Sequence, residues 1–336
     1  MLQIPKEALT VADPFPEIVG QTRVKSELAS ALLAGRHVLI VGPSGVGKTT
    51  LAREVARLLP RMEVADCGFN CEPDRPICPR CSSGKAQPRK VVEGSARFIR
   101  VQGSPDLTAE DLIGDIDPGK AMVFGPLSIE AFSPGKLFKA NNGVLFFDEL
   151  NRAPEKLQNA LLQALEERKV TIGSYDVDLE SNFIFIATMN PGDSSTEKLS
   201  EVLLDRFDLV RMGYPESIEQ ESEIVLRKGR RAAVHFPNQL LKLGLAFVRA
   251  LRAHKQIERA PSVRATIGLY ERAQANAVLR GSREVELQDL TAAMLSVLGH
   301  RIKLKPAAEY AISTEAFVEQ EFKAFLEANK NLGGCL

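Results

Sequence analysis

Apolar residues recur along this chain in two rhythms, one helical and one of short continuous runs. Within Ile18 to Gly35, Val24, Leu28 and Leu32 repeat at helical spacing, and Gly35 stands where such a helix would stop. HVLIV, His37 to Val41, reads as a short β-branched strand, and LAREVARLL, Leu51 to Leu59, as a helix. Further strand-like runs follow at RFIRVQG (Arg97 to Gly103), at Val144 to Phe147 within GVLFFDELN, and at NFIFIATMNP, ending on Asn190. EKLQNALLQALEERK places Leu157, Leu161, Ala164 and Leu165 on one helix face. KVTIGSYDVDL reads as a hairpin turning at Gly173-Ser174. Beyond Pro215 the pattern is helical to the end. Strands alternating with helices predict an α/β core with a parallel sheet between helices. The change of pattern at Met212 to Ser217 predicts a boundary between a core, residues 1–214, and an all-α domain, residues 215–336.

Three stretches break the rhythm. Residues 1–19 are rich in Pro and read as an extended lead-in. From Pro60 to Ser95 periodicity vanishes and Pro, Gly, Cys, Arg and Lys crowd in, which predicts an insertion, residues 60–95, between the first helix and the next strand. After Gly103, Thr108 and Asp111 are spaced like a capping box at a short helix start. The segment GKAMVFGPLSIEAFSPGKLFKANN then mixes apolar pieces with Gly-Pro turns, and predicts a hairpin-bearing insert followed by a short helix.

Composition narrows the classes. The chain has 336 residues, enough for two domains and a substantial core. Lys+Arg and Asp+Glu both total 43, so no global charge argues for nucleic acid or a membrane surface. No apolar run approaches the length of a membrane span, and MLQIPKEALTVADPFPE lacks the basic-then-apolar order of a secretory signal. A cytoplasmic protein is the expectation. With no Trp and few aromatics, the core must be mostly aliphatic.

GPSGVGKTT carries the clearest chemistry. It fits G-x-x-x-x-G-K-[ST] at Gly42, Gly47, Lys48 and Thr49, between a strand and a helix start. Backbone N–H groups of Gly42, Pro43, Ser44, Gly45, Val46, Gly47, Lys48, Thr49 and Thr50, less that of the proline, would line a phosphate cradle, with the helix dipole aimed at the anion. Asp148 and Glu149 end the apolar run GVLFF. Two acids at the end of a buried strand are costly unless they serve a site. Beside a phosphate loop, Asp148 would hold magnesium, together with Thr49, and Glu149 would polarise an attacking water. Asn190 ends its strand before Pro191, where it either holds that water or forms a turn.

Cys67, Cys71, Cys78 and Cys81 follow C-x3-C-x6-C-x2-C inside the insertion. Four thiolates so spaced suit a tetrahedral zinc site, which is the expectation. All-cysteine ligation also serves an iron–sulfur cluster, while two disulfides would conflict with a reducing compartment. A loop with little core of its own would take its fold from the metal. Cys335 is penultimate, not fourth from the end as in a prenylation box, and reads as a tail residue.

With these residues in order, the chain resembles the AAA+ ATPases, and among them the MoxR and magnesium-chelatase I-subunit group. The likeness spans Ile18 to Lys305 and includes IVGQ, GPSGVGKTT, SPGKLFKANNGVLFFDELNRAP, ALLQALEERKVTI, FIFIATMNP, LLDRFDL, GYP, PSVRATIGLYERAQANAVLRG and VLGHRIKL in family order. The resemblance implies Walker A roles for Lys48 and Thr49 and Walker B roles for Asp148 and Glu149. It makes Asn190 sensor 1, Arg206 in LDRF an arginine finger for a neighbouring subunit's nucleotide, and Arg264 in PSVRA sensor 2. From spacing alone, either arginine reads as a surface salt bridge. The cysteine insert departs from the family pattern.

The resemblance implies a magnesium-dependent ATPase working as a ring, a hexamer by expectation, on a protein client or a von Willebrand A-domain partner. Three other readings stay open: a chelatase motor; a nucleic-acid translocase, for which the basic runs LRKGRRAAVHF and HRIKLKP and a zinc module speak; and a nucleotide-binding switch with negligible turnover, against which the intact Asp148-Glu149 pair argues.

Overall fold

Near-continuous apolar runs need cover on both faces, and a parallel sheet between helices supplies it. The computed structural model describes residues 2–84, 87–172, 177–192 and 199–329; the turn expected at Gly173-Ser174 and Cys335 lie outside them. Two units emerge. The first comprises Met1–Ile18, Thr22–Gly42 and Gly47–Met212, the second Val19–Gln21, Pro43–Val46 and Gly213–Leu336.

In the first unit the runs form β1 (His37–Val41), β2 (Phe98–Gln102), β3 (Val144–Asp148) and β4 (Ile184–Met189), joined by β5 (Phe207–Arg211). All pair parallel, in the order β5-β1-β4-β3-β2. α1 (Thr22–Leu33) packs on β1 and β5, and α2 (Lys48–Arg57) on β3. α3 (Glu155–Glu167) buries Leu157, Leu161, Ala164 and Leu165 in the core cluster that holds Leu39, Leu145, Phe147 and Phe185. The periodicity of α1 is borne out: Val24, Leu28 and Leu32 are buried, and Gly35 ends the turn at φ +70°. β5 lacks a strong strand signature because it is an edge. Asp208 pairs with Arg36 at 3.2 Å and Leu209 stays exposed.

Parallel pairing brings the strand ends to one edge. Val41 is opposite Met189, Ala187 opposite Phe147, and Gln102 opposite Asp148. Open α/β sheets bind ligands outside this carboxyl edge.

The region expected as a coreless insertion has more structure than its composition suggests. Met62–Ala65 and Arg89–Val92 pair antiparallel as a stem. Phe69, Cys71 and Cys78 are buried in the main core, where Phe69 meets Phe138 at 5.4 Å between ring centroids. Asn141 Nδ2 donates to the Phe69 carbonyl at 3.0 Å, and Asn142 Nδ2 to the Asn70 carbonyl at 3.2 Å. The tip of this loop is therefore sewn to the turn that feeds β3.

Downstream, Thr108 and Asp111 form the expected capping box at the helix Ala109–Leu112. The expected hairpin pairs Gly114–Ile116 with Phe132–Pro134, and the short helix Lys136–Lys139 follows. Between the hairpin strands lies a further helix, Pro118–Phe124. Lys169–Ile172 and Val177–Glu180 form the second expected hairpin.

The second unit is built of α4 (Ile218–Lys228), α5 (Asn238–Arg252), α6 (Val263–Leu279), α7 (Leu287–Leu298) and α8 (Thr314–Ala328), with a shorter helix at Pro306–Ala311. Phe247, Leu251, Leu269, Ala273, Met294, Val297, Phe317 and Phe322 meet in its core. A two-stranded antiparallel pair, Ile257–Arg259 with Lys303–Leu304, adds to the helical pattern. It is too short to leave a period-2 signal.

Candidate nucleotide and metal sites

The phosphate loop turns because glycine sits where the backbone needs it. Gly47 has φ +108° and occupies the N-cap position just before α2, and Gly45 has φ +76°. A Cβ built on Gly45 would stand 2.8 Å from Ser262 Oγ and 3.3 Å from Arg264 Cγ, so a side chain there meets both strain and collision. Lys48 and Thr49 open α2, whose first-turn N–H groups have no intrahelical acceptors. Lys48 Nζ donates to the Gly42 carbonyl at 2.6 Å, which keeps the ammonium over the loop. Ser262 precedes α6, and Arg264 is its second residue, exposed beside Gly45.

At the end of β3 the structure brings Asp148 and Glu149 together with groups that spacing along the chain did not reveal. Thr188, fully buried on β4, donates its hydroxyl to Asp148 Oδ1 at 2.7 Å and accepts the Glu149 N–H at 2.9 Å. Arg100 on β2 pairs with Asp148 Oδ2 at 2.6 Å. Gln102, also on β2, donates to Glu149 Oε2 at 3.2 Å, and Arg152 lies 3.4 Å from the same oxygen. Glu149 itself takes the left-handed conformation, φ +56°, rare for a non-glycine residue and characteristic of strained functional positions. Both carboxylates are thus oriented by neighbours from adjacent strands. The one sequence hint was a polar threonine inside the apolar run FIFIATM.

Asn190 follows β4, and its Oδ1 accepts the Gly192 N–H at 3.3 Å, the turn-forming reading of this residue. Arg206 follows the short helix Glu201–Leu204 and pairs with Glu166 of α3 and with Asp205, the latter at 3.0 Å. Arg100 and Arg152 are cations that face the acid pair.

The four insert cysteines converge: their Sγ atoms all lie within 4.8 Å of one another. A tetrahedral S4 site with bonds of about 2.3 Å has edges of about 3.8 Å, so the donor set fits a four-coordinate ion. Cys71 Sγ accepts the N–H groups of Ile77 and Cys78, and Cys78 Sγ that of Cys81, each at 3.4 Å. Such bonds stabilise thiolate sulfur. The thiols of Cys71 and Cys78 hydrogen-bond to Cys67 and hold it well below the usual thiol range. Cys78 is pushed up to about 12, first by its bond to Cys67, and Cys81 to about 12, first by burial. Four sulfurs this close cannot all ionise without a cation between them. Cys67, Cys71, Cys78 and Cys81 could hold one metal.

Comparison with known proteins agrees with this layout. Residues 88–209 match the model for the ATPase family associated with various cellular activities, residues 249–321 the AAA lid domain, and residues 14–69 magnesium chelatase, subunit ChlI. The magnesium-chelatase subunit ChlI homolog of Methanocaldococcus jannaschii is 28% identical over 94% of this chain and 92% of its own. The magnesium-chelatase 38 kDa subunit of Acidiphilium rubrum is 29% identical over 88% of this chain and 92% of its own. A Thermotoga maritima RuvB variant superposes with TM-score 0.51 at 19% identity, covering 84% of this chain and 72% of that one, a likeness of fold. Among the described residues no helix is long and apolar enough to cross a membrane.

Proposed function

Since the chain belongs to the AAA+ ATPases, with magnesium-chelatase I-type subunits among its relatives, we propose that it is a ring-forming motor that couples ATP hydrolysis to remodelling of a protein partner. The observation that carries this reading is the edge where β1 runs into the phosphate loop while β3 ends in an oriented Asp148-Glu149 pair.

In this reading the loop from Gly42 to Thr50 holds the phosphates through its N–H groups, and Lys48 adds a point charge toward the β- and γ-phosphates. Thr49 and Asp148 are the residues that would hold magnesium, which when bound neutralises phosphate charge. Glu149 takes the proton of the attacking water and holds it in line, since phosphoryl transfer to water depends on alignment and charge more than on covalent chemistry. Asn190 orients that water from the neighbouring strand end. Arg264 contacts the nucleotide beside Gly45. Arg206 reaches the nucleotide of the next subunit, which ties hydrolysis to assembly and to subunit motion. For that reach it must leave Glu166 and Asp205. Cys67, Cys71, Cys78 and Cys81 would hold a structural zinc ion.

The full-length likeness to proteins named magnesium-chelatase subunits favours a second reading, in which the same motor serves a metal-insertion complex with other subunits.

Glu149→Gln protein loaded with Mg-ATP tests the motor reading. It should assemble into closed rings and retain a bound protein partner that ADP releases. Protein that stays monomeric with ATP bound would refute the reading.

A further inference from the structure

Glu221, on α4, is fully buried, yet it lies outside the nucleotide machinery described above. Its carboxylate is met by two arginines one turn apart on α5. Arg252 grips it with both terminal nitrogens, each at 2.7 Å, and Arg249 stands 3.4 Å from Oε2. A bidentate fork of this kind is the strongest and most directional form of ion pair.

Both arginines have other work within the same unit. Arg249 donates to the carbonyls of Pro215 and Glu216, each at 2.8 Å. Arg252 stacks on Tyr214, 4.5 Å from the ring centroid, and its Nε donates to the Pro261 carbonyl at 2.8 Å. One guanidinium thereby joins three segments: Tyr214 in the linking stretch, Glu221 on α4, and Pro261 immediately before α6.

The Pro261 contact matters because the start of α6 has no cap of its own. Ser262 occupies the N-cap position, but its side chain makes no capping hydrogen bond. Its hydroxyl lies instead against Gly45 of the phosphate loop. A serine cap is ordinarily worth about 1 kcal/mol to a helix start. Here the turn that carries Ser262 and Arg264 is held from behind, by Arg252 through the Pro261 carbonyl.

We infer that Arg252, locked by Glu221, is a positioning residue for Arg264: it fixes the first turn of α6 so that Arg264 stands beside the phosphate loop. The inference rests on the reading of Arg264 as a nucleotide contact. Arg252 touches no nucleotide and acts through the backbone of Pro261.

The test is a double-mutant cycle in the full-length protein, read as KM for ATP and kcat in the presence of magnesium. Arg252→Lys keeps a charge for Glu221 but cannot hold the carboxylate, Tyr214 and Pro261 together. It should raise KM for ATP about fivefold, and the same change in an Arg264→Ala background should alter KM less than about twofold, because residues in one network couple by such factors. Thermal unfolding is followed in parallel, and a merely structural role would shift KM equally in both backgrounds. Should Arg252→Lys fold poorly, the pair Glu221→Gln with Arg252→Gln, which leaves no uncompensated buried charge, takes its place. Equal effects in both backgrounds, or no effect of Arg252→Lys on KM, would overturn the inference while leaving the Arg264 reading intact. An Arg264→Ala protein with unchanged KM and kcat would overturn both.

Discussion

Thr188 donates its hydroxyl to Asp148 Oδ1 across 2.7 Å, and the Thr188 hydroxyl oxygen in turn accepts the Glu149 N–H at 2.9 Å. One buried hydroxyl on β4 thus sets the direction of both acids at the end of β3. Thr188→Val keeps the shape and removes the hydroxyl, leaving the Glu149 N–H without its acceptor. Misplacement by about 1 Å can cost on the order of a hundredfold in rate. Thr188→Val should therefore lower kcat by about that factor with a smaller change in KM, and Thr188→Ser should restore most of it. Steady-state phosphate release measures both, and equal kcat for the valine and serine variants would remove Thr188 from the account.

Lys48 spans the loop to the Gly42 carbonyl, and in the proposed reading its ammonium meets the bound phosphates. A hydrogen bond to a charged group contributes about 1.5–3 kcal/mol. Lys48→Ala should weaken ATP binding about 10- to 100-fold, measured by titration calorimetry. Unchanged affinity would show that the loop holds phosphate without its lysine.

The cysteine loop should contain about one zinc per chain by elemental analysis. Because Phe69, Cys71 and Cys78 lie in the main core, metal loss should be felt beyond the loop. Chelation or Cys78→Ser should make residues 60–95 sensitive to protease. It should also lower the unfolding temperature, by about 2–4 °C for each kcal/mol lost, while ATP still binds. Iron with a visible charge-transfer band would replace zinc by a cluster. Absence of metal, with all four thiols reactive in native protein, would remove the site.

His37 gives a stability signature in acid. Its Nδ1 accepts the Phe185 N–H at 3.2 Å, and burial, then Arg168 and Arg36, lower its pKa to about 4. The folded protein therefore binds this proton less readily than the unfolded chain, whose histidine titrates near 6.5. This contribution is complete above about pH 6.5 and is lost as pH falls toward 4. It amounts to at most about 3 kcal/mol, less because the ring is partly exposed. His37→Gln should flatten urea-derived stability across that window, and an unchanged slope would exclude His37 as its source.

The parts of this fold legible in the sequence are those whose burial is continuous. β1, β3 and β4 are apolar nearly throughout, and their runs stand out. β5 does not, because an edge strand with Asp208 and an exposed Leu209 carries no such run. The stem at Met62–Ala65 and Arg89–Val92 escaped for the same reason: most of its positions are exposed or only partly buried. The phosphate loop and acid pair were visible because their residues are close in sequence. Thr188, Arg100 and Gln102 were not, since only sheet pairing brings them to Asp148 and Glu149. Arg252 and Pro261 are joined by the packing of one helical unit, which leaves no motif.

We propose that the active site is completed by a neighbouring subunit through Arg206. This claim is tested most directly by mixing two inactive proteins, Glu149→Gln and Arg206→Ala, over a range of ratios while co-assembly is followed by energy transfer between labelled subunits. Interfaces that pair an intact Glu149 with a neighbour's intact Arg206 should hydrolyse ATP, so phosphate release should appear on mixing and peak near equal amounts. Mixed rings that form and release no phosphate at any ratio would contradict the claim.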